Sequence, residues 1–62
     1  MKIILSKGNK FVLLDDNKNI MYTCEEEKAT NFGNISVDEF VKMKSFLEEK
    51  EDCKFDIEFV RY

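Results

Sequence analysis

The run Ile35-Ser36-Val37-Asp38-Glu39-Phe40 constrains the fold more than any other stretch of this sequence. It has the form of a helix start. Ser36 stands at the N-cap and Glu39 three positions on, the spacing at which each side chain can accept the other's orphan amide. Ile35 and Phe40 flank them as a hydrophobic staple. Asp38 and Glu39 put negative charge at the positive end of the helix dipole. Beyond the cap, Val37, Phe40, Val41, Lys44 and Leu47 recur at i, i+3, i+4, i+7 spacing, with Met43 and Phe46 widening the same side. The helix is therefore expected to run to about residues 49–51 with that side against a core. Asp38, Lys42, Ser45, Glu48 and Glu49 fall on the other side, and Asp38–Lys42 is an i,i+4 pair in the favourable order.

The remaining segments alternate with a period of two, the mark of strands. Residues 1–7 place Met1, Ile3 and Leu5 on one face and Lys2, Ile4 and Ser6 on the other. Gly8-Asn9 is a two-residue hairpin turn. Residues 10–15 follow with Phe11 and Leu13 on one face, Val12 and Leu14 on the other. Asp15-Asp16-Asn17-Lys18-Asn19 is a second turn. Residues 20–25 put Ile20, Tyr22 and Cys24 opposite Met21 and Thr23. Residues 26–35 connect to the helix, with a helical turn near Glu25–Ala29, Phe32 tucked inward and Gly33-Asn34 as breakers. In the last strand Cys53, Phe55, Ile57 and Phe59 alternate with Lys54, Asp56 and Glu58, and its apolar face is expected to receive the helix. The order β-β-β-α-β predicts an α+β two-layer sandwich: a mainly antiparallel four-stranded sheet with one helix on one face. With 62 residues this is one small globular domain over 1–62, marginal in stability unless a partner adds buried surface.

If Ile3, Leu5, Phe11 and Leu13 meet the helix, then Ile4, Val12 and Leu14 lie on the outer sheet face. Together with Met21, Val60 and Tyr62 they would form an apolar patch, the mark of a homodimer or partner face. The alternative is that strand register scatters these residues, or that the 26–35 connection covers them.

Charge is uneven along the chain. The net is −3, yet residues 25–52 hold nine carboxylates against four Lys, while residues 1–24 hold four Lys against two Asp. The excess collects in Glu25, Glu26, Glu27 and in Glu48, Glu49, Glu51 and Asp52. Such runs serve as a solubilising surface or as an acidic surface that engages a basic one. Direct nucleic-acid binding is disfavoured, since Arg61 is the only Arg and no basic stripe exists.

Several chemistries lack their residues. Histidine is absent, which removes the commonest general base and metal ligand. Gly8 and Gly33 are the only glycines, so no phosphate-cradling loop forms. Cys24 and Cys53 are too far apart in sequence for a CxxC motif and too few for a zinc site. Each is expected as a buried thiol on the apolar face of its strand, with a disulfide open if their strands are neighbours. Asp15-x-Asn17-x-Asn19 with Glu26 partly matches an EF-hand loop, but Ile20 stands where that loop needs Gly, and strands flank it. The expectation is no enzyme, no cofactor and no metal.

The apolar run Ile3-Ile4-Leu5 is too short for a signal h-region or a spanning helix. A cytoplasmic protein is expected, without membrane contact. The abundance of Lys, Asn, Ile and Phe, with no Pro, Trp or His, points to an AT-rich genome such as a low-GC bacterium or its phage. In size, charge and composition the chain resembles the small inhibitors that phages and mobile elements direct at host enzymes, of anti-restriction, anti-CRISPR and DNA-mimic type. That resemblance implies a non-enzymatic, protein-binding inhibitor acting in the host cytoplasm. Its partner would be a larger protein with a basic, nucleic-acid-binding surface. The alternative is a dimeric structural or assembly protein acting through the outer sheet face.

Overall fold

In the computed structural model, which describes residues 2–61, the elements run β1 (Lys2–Lys7), β2 (Lys10–Leu14), β3 (Ile20–Thr23), a 3-10 turn (Glu26–Lys28), α1 (Val37–Glu51) and β4 (Asp56–Val60). The strands form one sheet in the order β3-β2-β1-β4, and each neighbouring pair is antiparallel. Helix α1 packs on one face, called the inner face below. The expected α+β architecture is thus the one the chain adopts.

The first turn sets the register. Gly8 takes φ +61° in the two-residue link, and Lys7 faces Lys10 across it. Residues that face each other across antiparallel strands point to the same side. Odd positions of β1 therefore share a face with even positions of β2. Val12 then faces Tyr22 and Leu14 faces Ile20, while Leu5 faces Ile57 and Ile3 faces Phe59. The core follows from this. Leu5, Val12, Phe32, Leu47 and Phe55 are buried together, with Ile3, Leu14, Ile20, Tyr22, Ile35, Phe40, Met43 and Cys53 packed around them. This corrects the expected faces of β2: Val12 and Leu14 meet the helix, and Phe11 and Leu13 turn outward, half-buried.

Strands β1 and β2 pair only beside their turn, at Ser6–Phe11 and Lys7–Lys10. Farther along they part, and the connection from β3 to α1 passes through the gap. Thr30 N donates to Val12 O at 3.1 Å, and Leu14 N donates to Thr30 Oγ1 at 2.7 Å. On the other side, Phe32 N donates to Ile3 O at 2.8 Å, and Ile3 N donates to Asn31 Oδ1 at 3.1 Å. The connection thus meets four backbone groups that the parting strands no longer offer one another: Val12 O, Leu14 N, Ile3 N and Ile3 O. Before the gap, the 3-10 turn lies against the outer face. Lys2, buried there, donates its ammonium to Glu26 O and Glu27 O at 3.0 and 3.1 Å. Ile4, on the same face, is 0% exposed. After the gap, Phe32 enters the core as expected, with its ring 5.7 Å from that of Phe40.

The helix begins and ends on local signals. Ser36 Oγ accepts from Glu39 N at 3.2 Å, which is half of the expected capping box; no return bond from the Glu39 carboxylate forms among the described residues. At the other end Asp52 takes φ +53°, Asp52 N donates to Glu49 O, and Cys53 N donates to Glu48 O. That is a Schellman arrangement. It consumes residues 52–54, so β4 starts at Asp56 rather than near Cys53 as expected. Cys24 follows β3 and Cys53 precedes β4. These strands are the opposite edges of the sheet, so the thiols are free, and Cys24 is exposed rather than buried.

Candidate functional site

The helix carries its C-terminal turn to one end of the sheet, beside the end of β3. There the acidic residues gather, and the fold sorts them. Glu48 is engaged: its Oε2 accepts from Lys44 Nζ and from Phe55 N, both at 2.8 Å. The Lys44 ammonium and then the Phe55 amide hold its carboxyl below the usual carboxylate range. Glu51 accepts from Tyr22 Oη at 3.1 Å, which ties the last helical turn to β3. Burial, reinforced by that carboxylate, pushes the Tyr22 phenol up to about 12. Glu25 pairs with Lys28 at 2.6 Å on the surface. Glu26, Glu27, Glu49 and Asp52 are exposed, and none forms an ion pair among the described residues.

The two acidic runs do not merge into one flat patch. Glu25–Glu27 leave the end of β3 and cross toward the outer face, where Lys2 holds their carbonyls. Glu48–Asp52 stand on the helix layer. The sheet lies between them, so they form two acidic lobes. Ser45, Glu48, Glu49, Asp52, Cys53 and Lys54 line an open depression of about 450 Å³ in the helix-side lobe.

This lobe is placed against local preference. The C-terminal end of a helix is the negative pole of its dipole, where cations are favoured. Here Glu48, Glu49, Glu51 and Asp52 surround that pole, with Lys50 as the basic residue of the last turn. The backbone at Asp52 is left-handed, the conformation that glycine adopts without steric cost.

The expected apolar outer face is reduced to a remnant. Val12 and Leu14 are on the inner face, and Ile4 is outward but fully buried. Met21 is exposed there and Val60 half-buried. Tyr62 lies outside the described residues.

The apolar surface that is open lies elsewhere, on the inner side. Ile57 is 42% and Phe59 65% exposed, although both point toward the helix layer; on α1, Val37 is 75% and Val41 54% exposed. The expectation that the helix covers the apolar face of the last strand holds for Phe55, with Cys53 packed beside the core, and fails for Ile57 and Phe59. The reason is width. A helix with its side chains is about 10 Å across, whereas four strands about 4.8 Å apart span roughly twice that. One helix cannot cover the inner face, and α1 sits over β1, β2 and β3. That arithmetic was available from the element order alone. Phe46, 61% exposed on the far flank of α1, borders a second open apolar groove with Leu14, Met43 and Leu47.

The Asp15-Asn19 segment spends its oxygens on itself. Asp15 Oδ1 accepts from the amides of Asn17 and Asn19 at 2.8 Å, and Oδ2 accepts from Asn19 Nδ2 at 3.2 Å. It organises the turn between β2 and β3. No helix among the described residues is long and apolar enough to cross a membrane. The chain matches no family model, no curated protein and no solved structure.

Proposed function

We propose that this chain is a small non-enzymatic binding module that blocks a larger protein by presenting its acidic end to a basic, nucleic-acid-binding surface. The observation that carries this reading is the helix C-terminus. Glu49 and Asp52 are unpaired carboxylates at the negative pole of α1, and Asp52 occupies a glycine-like backbone position. A residue that breaks two local preferences at once, with no side-chain hydrogen bond or ion pair to offset them among the described residues, is the kind kept for a function outside the fold. Glu26 and Glu27 supply a second acidic lobe across the sheet. Two lobes separated by a sheet suit a basic groove better than a flat basic face, since each can follow one wall. The size, charge and composition shared with phage and mobile-element inhibitors support a nucleic-acid-processing or defence protein as the target.

The test is a tagged pull-down from a nuclease-treated lysate of a low-GC bacterium, at low and high salt, read by mass spectrometry. One nucleic-acid enzyme should be captured at low salt and released at high salt. Its capture should be lost when Glu26, Glu27, Glu49 and Asp52 are all replaced by Lys. Capture that survives the fourfold replacement would overturn the acidic-end reading.

A further inference from the structure

The β4 strand is an edge of the sheet, and its free side can be assigned residue by residue. In an antiparallel pair a residue's N–H and C=O point to the same side, and successive residues alternate. Ile3 gives both groups to the connection, at Asn31 and Phe32. Lys2, Ile4 and Ser6 therefore turn theirs toward β4, where they face Val60, Glu58 and Asp56. Ile57 and Phe59 are left with N–H and C=O directed away from the sheet, and no hydrogen bond to either forms outside the β4 ladder among the described residues.

The side chains of the same strand divide by chemistry. On the inner side Ile57 and Phe59 are open. The helix stripe that continues from Glu48 through Lys44 passes through Val41 and Val37, at spacings of four and three. Glu48 is fixed to Phe55 at the start of β4, so this stripe borders the strand. Helix and strand run in opposite directions, so the flank of α1 that runs back from Glu48 through Val41 to Val37 follows the same sense as β4 running on from Phe55 through Ile57 to Phe59. Open apolar side chains on both elements thus flank the free edge. On the outer side Asp56 and Glu58 are exposed, stand opposite Ser6 and Ile4, and have no ion-pair partner among the described residues.

We propose that this edge is a docking strand for an extended segment of a partner protein in which cationic and apolar residues alternate. Such a segment would add a fifth strand beside β4, bonding through the four outward groups of Ile57 and Phe59. Its apolar residues would lie beside Ile57 and Phe59, toward Val41 and Val37, and its Lys or Arg residues would sit beside Asp56 and Glu58. The same charges act against self-association. In the two-fold register that lays Ile57 on Phe59 of a second copy, Glu58 faces its own counterpart, and like charges directly opposite are destabilising. This site goes beyond the acidic end and shares with it only the premise that the ligand is a protein.

The test uses the whole chain and a short synthetic peptide of alternating Lys and Val, followed by amide chemical-shift mapping. Shifts should centre on Ile57, Glu58 and Phe59 and extend to Val37 and Val41. A peptide with the same side chains but with its β4-facing amides N-methylated should bind about tenfold more weakly or worse, having lost the main-chain bonds. The exposed double change Asp56→Lys and Glu58→Lys should weaken binding similarly, whereas Glu49→Lys with Asp52→Lys should leave it intact. Equal binding of the N-methylated peptide would reduce the contact to charge attraction and overturn the proposal. Shifts confined to the acidic end would overturn it too, as would a dimer whose β4 amides are protected before any peptide is added. Since the Glu49 and Asp52 changes bear only on the acidic end, the two readings fail separately.

Discussion

Asp52 holds a position that glycine would fill at lower cost. A left-handed backbone costs a residue with a Cβ about 1 kcal/mol or more, less for Asp than for most, and a carboxylate at the negative helix pole adds a further unfavourable interaction. Asp52→Gly should therefore raise stability by about 1 kcal/mol, read as a higher urea midpoint, while weakening capture of the target. A variant no more stable than the parent would show that Asp52 is there for the fold. Tyr22 gives a prediction of the opposite kind. Its phenol titrates near 12 because burial and the Glu51 carboxylate both disfavour the phenolate. In a Tyr62→Phe chain, absorbance should report this single phenol, and Glu51→Gln should lower its midpoint. The folded value is raised above the unfolded one of about 10, so the stabilisation is complete below pH 10 and is lost as pH rises toward 12. A midpoint near 10 in the Tyr62→Phe chain would mean that the bond to Glu51 does not persist in solution. The carboxylates themselves were visible in the sequence. Which of them are engaged was not, because Glu48 is met by Phe55 and Glu51 by Tyr22, a residue on another element.

Among the elements, the position of the helix start was legible, because Ser36, Glu39 and the flanking Ile35 and Phe40 lie within a few residues of each other; the reciprocal bond to the Glu39 carboxylate, which the pattern also predicts, does not form among the described residues. The strands were legible by alternation, but alternation alone does not say which face turns inward. For β2 that choice belongs to the turn. A two-residue link at Gly8-Asn9 makes Lys7 face Lys10, and this places Val12 rather than Phe11 beside Leu5. The register was thus implicit in the turn length and follows from it without coordinates. The gap between β1 and β2 had no such local sign. It depends on Thr30 and Asn31 reaching Leu14 and Ile3 from across the chain. Asn31 Oδ1 accepts from Ile3 N and Gly33 N, at 3.1 and 2.8 Å. Asn31→Ala should cost about 1–3 kcal/mol by leaving the Ile3 amide without its acceptor. Asn31→Asp, which keeps the oxygen, should lose less. Equal thermal midpoints for Asn31→Ala and the parent chain would show that water replaces this bond at no cost.

For the molecule as a whole, one helix and four strands leave more apolar surface than the fold can cover. Most of the uncovered part, Ile57, Phe59, Val37 and Val41, flanks the β4 edge, next to outward backbone groups and carboxylates without an ion pair among the described residues; Phe46 on the far flank of α1 and Met21 on the outer face make up the rest. The unpaired acidic residues Glu49 and Asp52 occupy the end of the helix layer, and Glu26 and Glu27 the opposite layer. Two different surfaces, one charged and one apolar with a polar border, are thus held by a core of only a few side chains. The passage of the connection through the sheet limits how such a molecule can change over time. Loops commonly tolerate insertions because their ends alone are fixed. Here residues 29–32 are fixed along their length between β1 and β2, so neither gain nor loss of a residue is compatible with the bonds to Val12, Leu14 and Ile3. The exposed positions of the 15–19 turn and Gly33-Asn34 remain as places where the chain can lengthen, whereas the Gly8-Asn9 link is held at two residues by the register it sets. Variation in chain length should therefore accumulate around the seam and leave the seam itself at constant length.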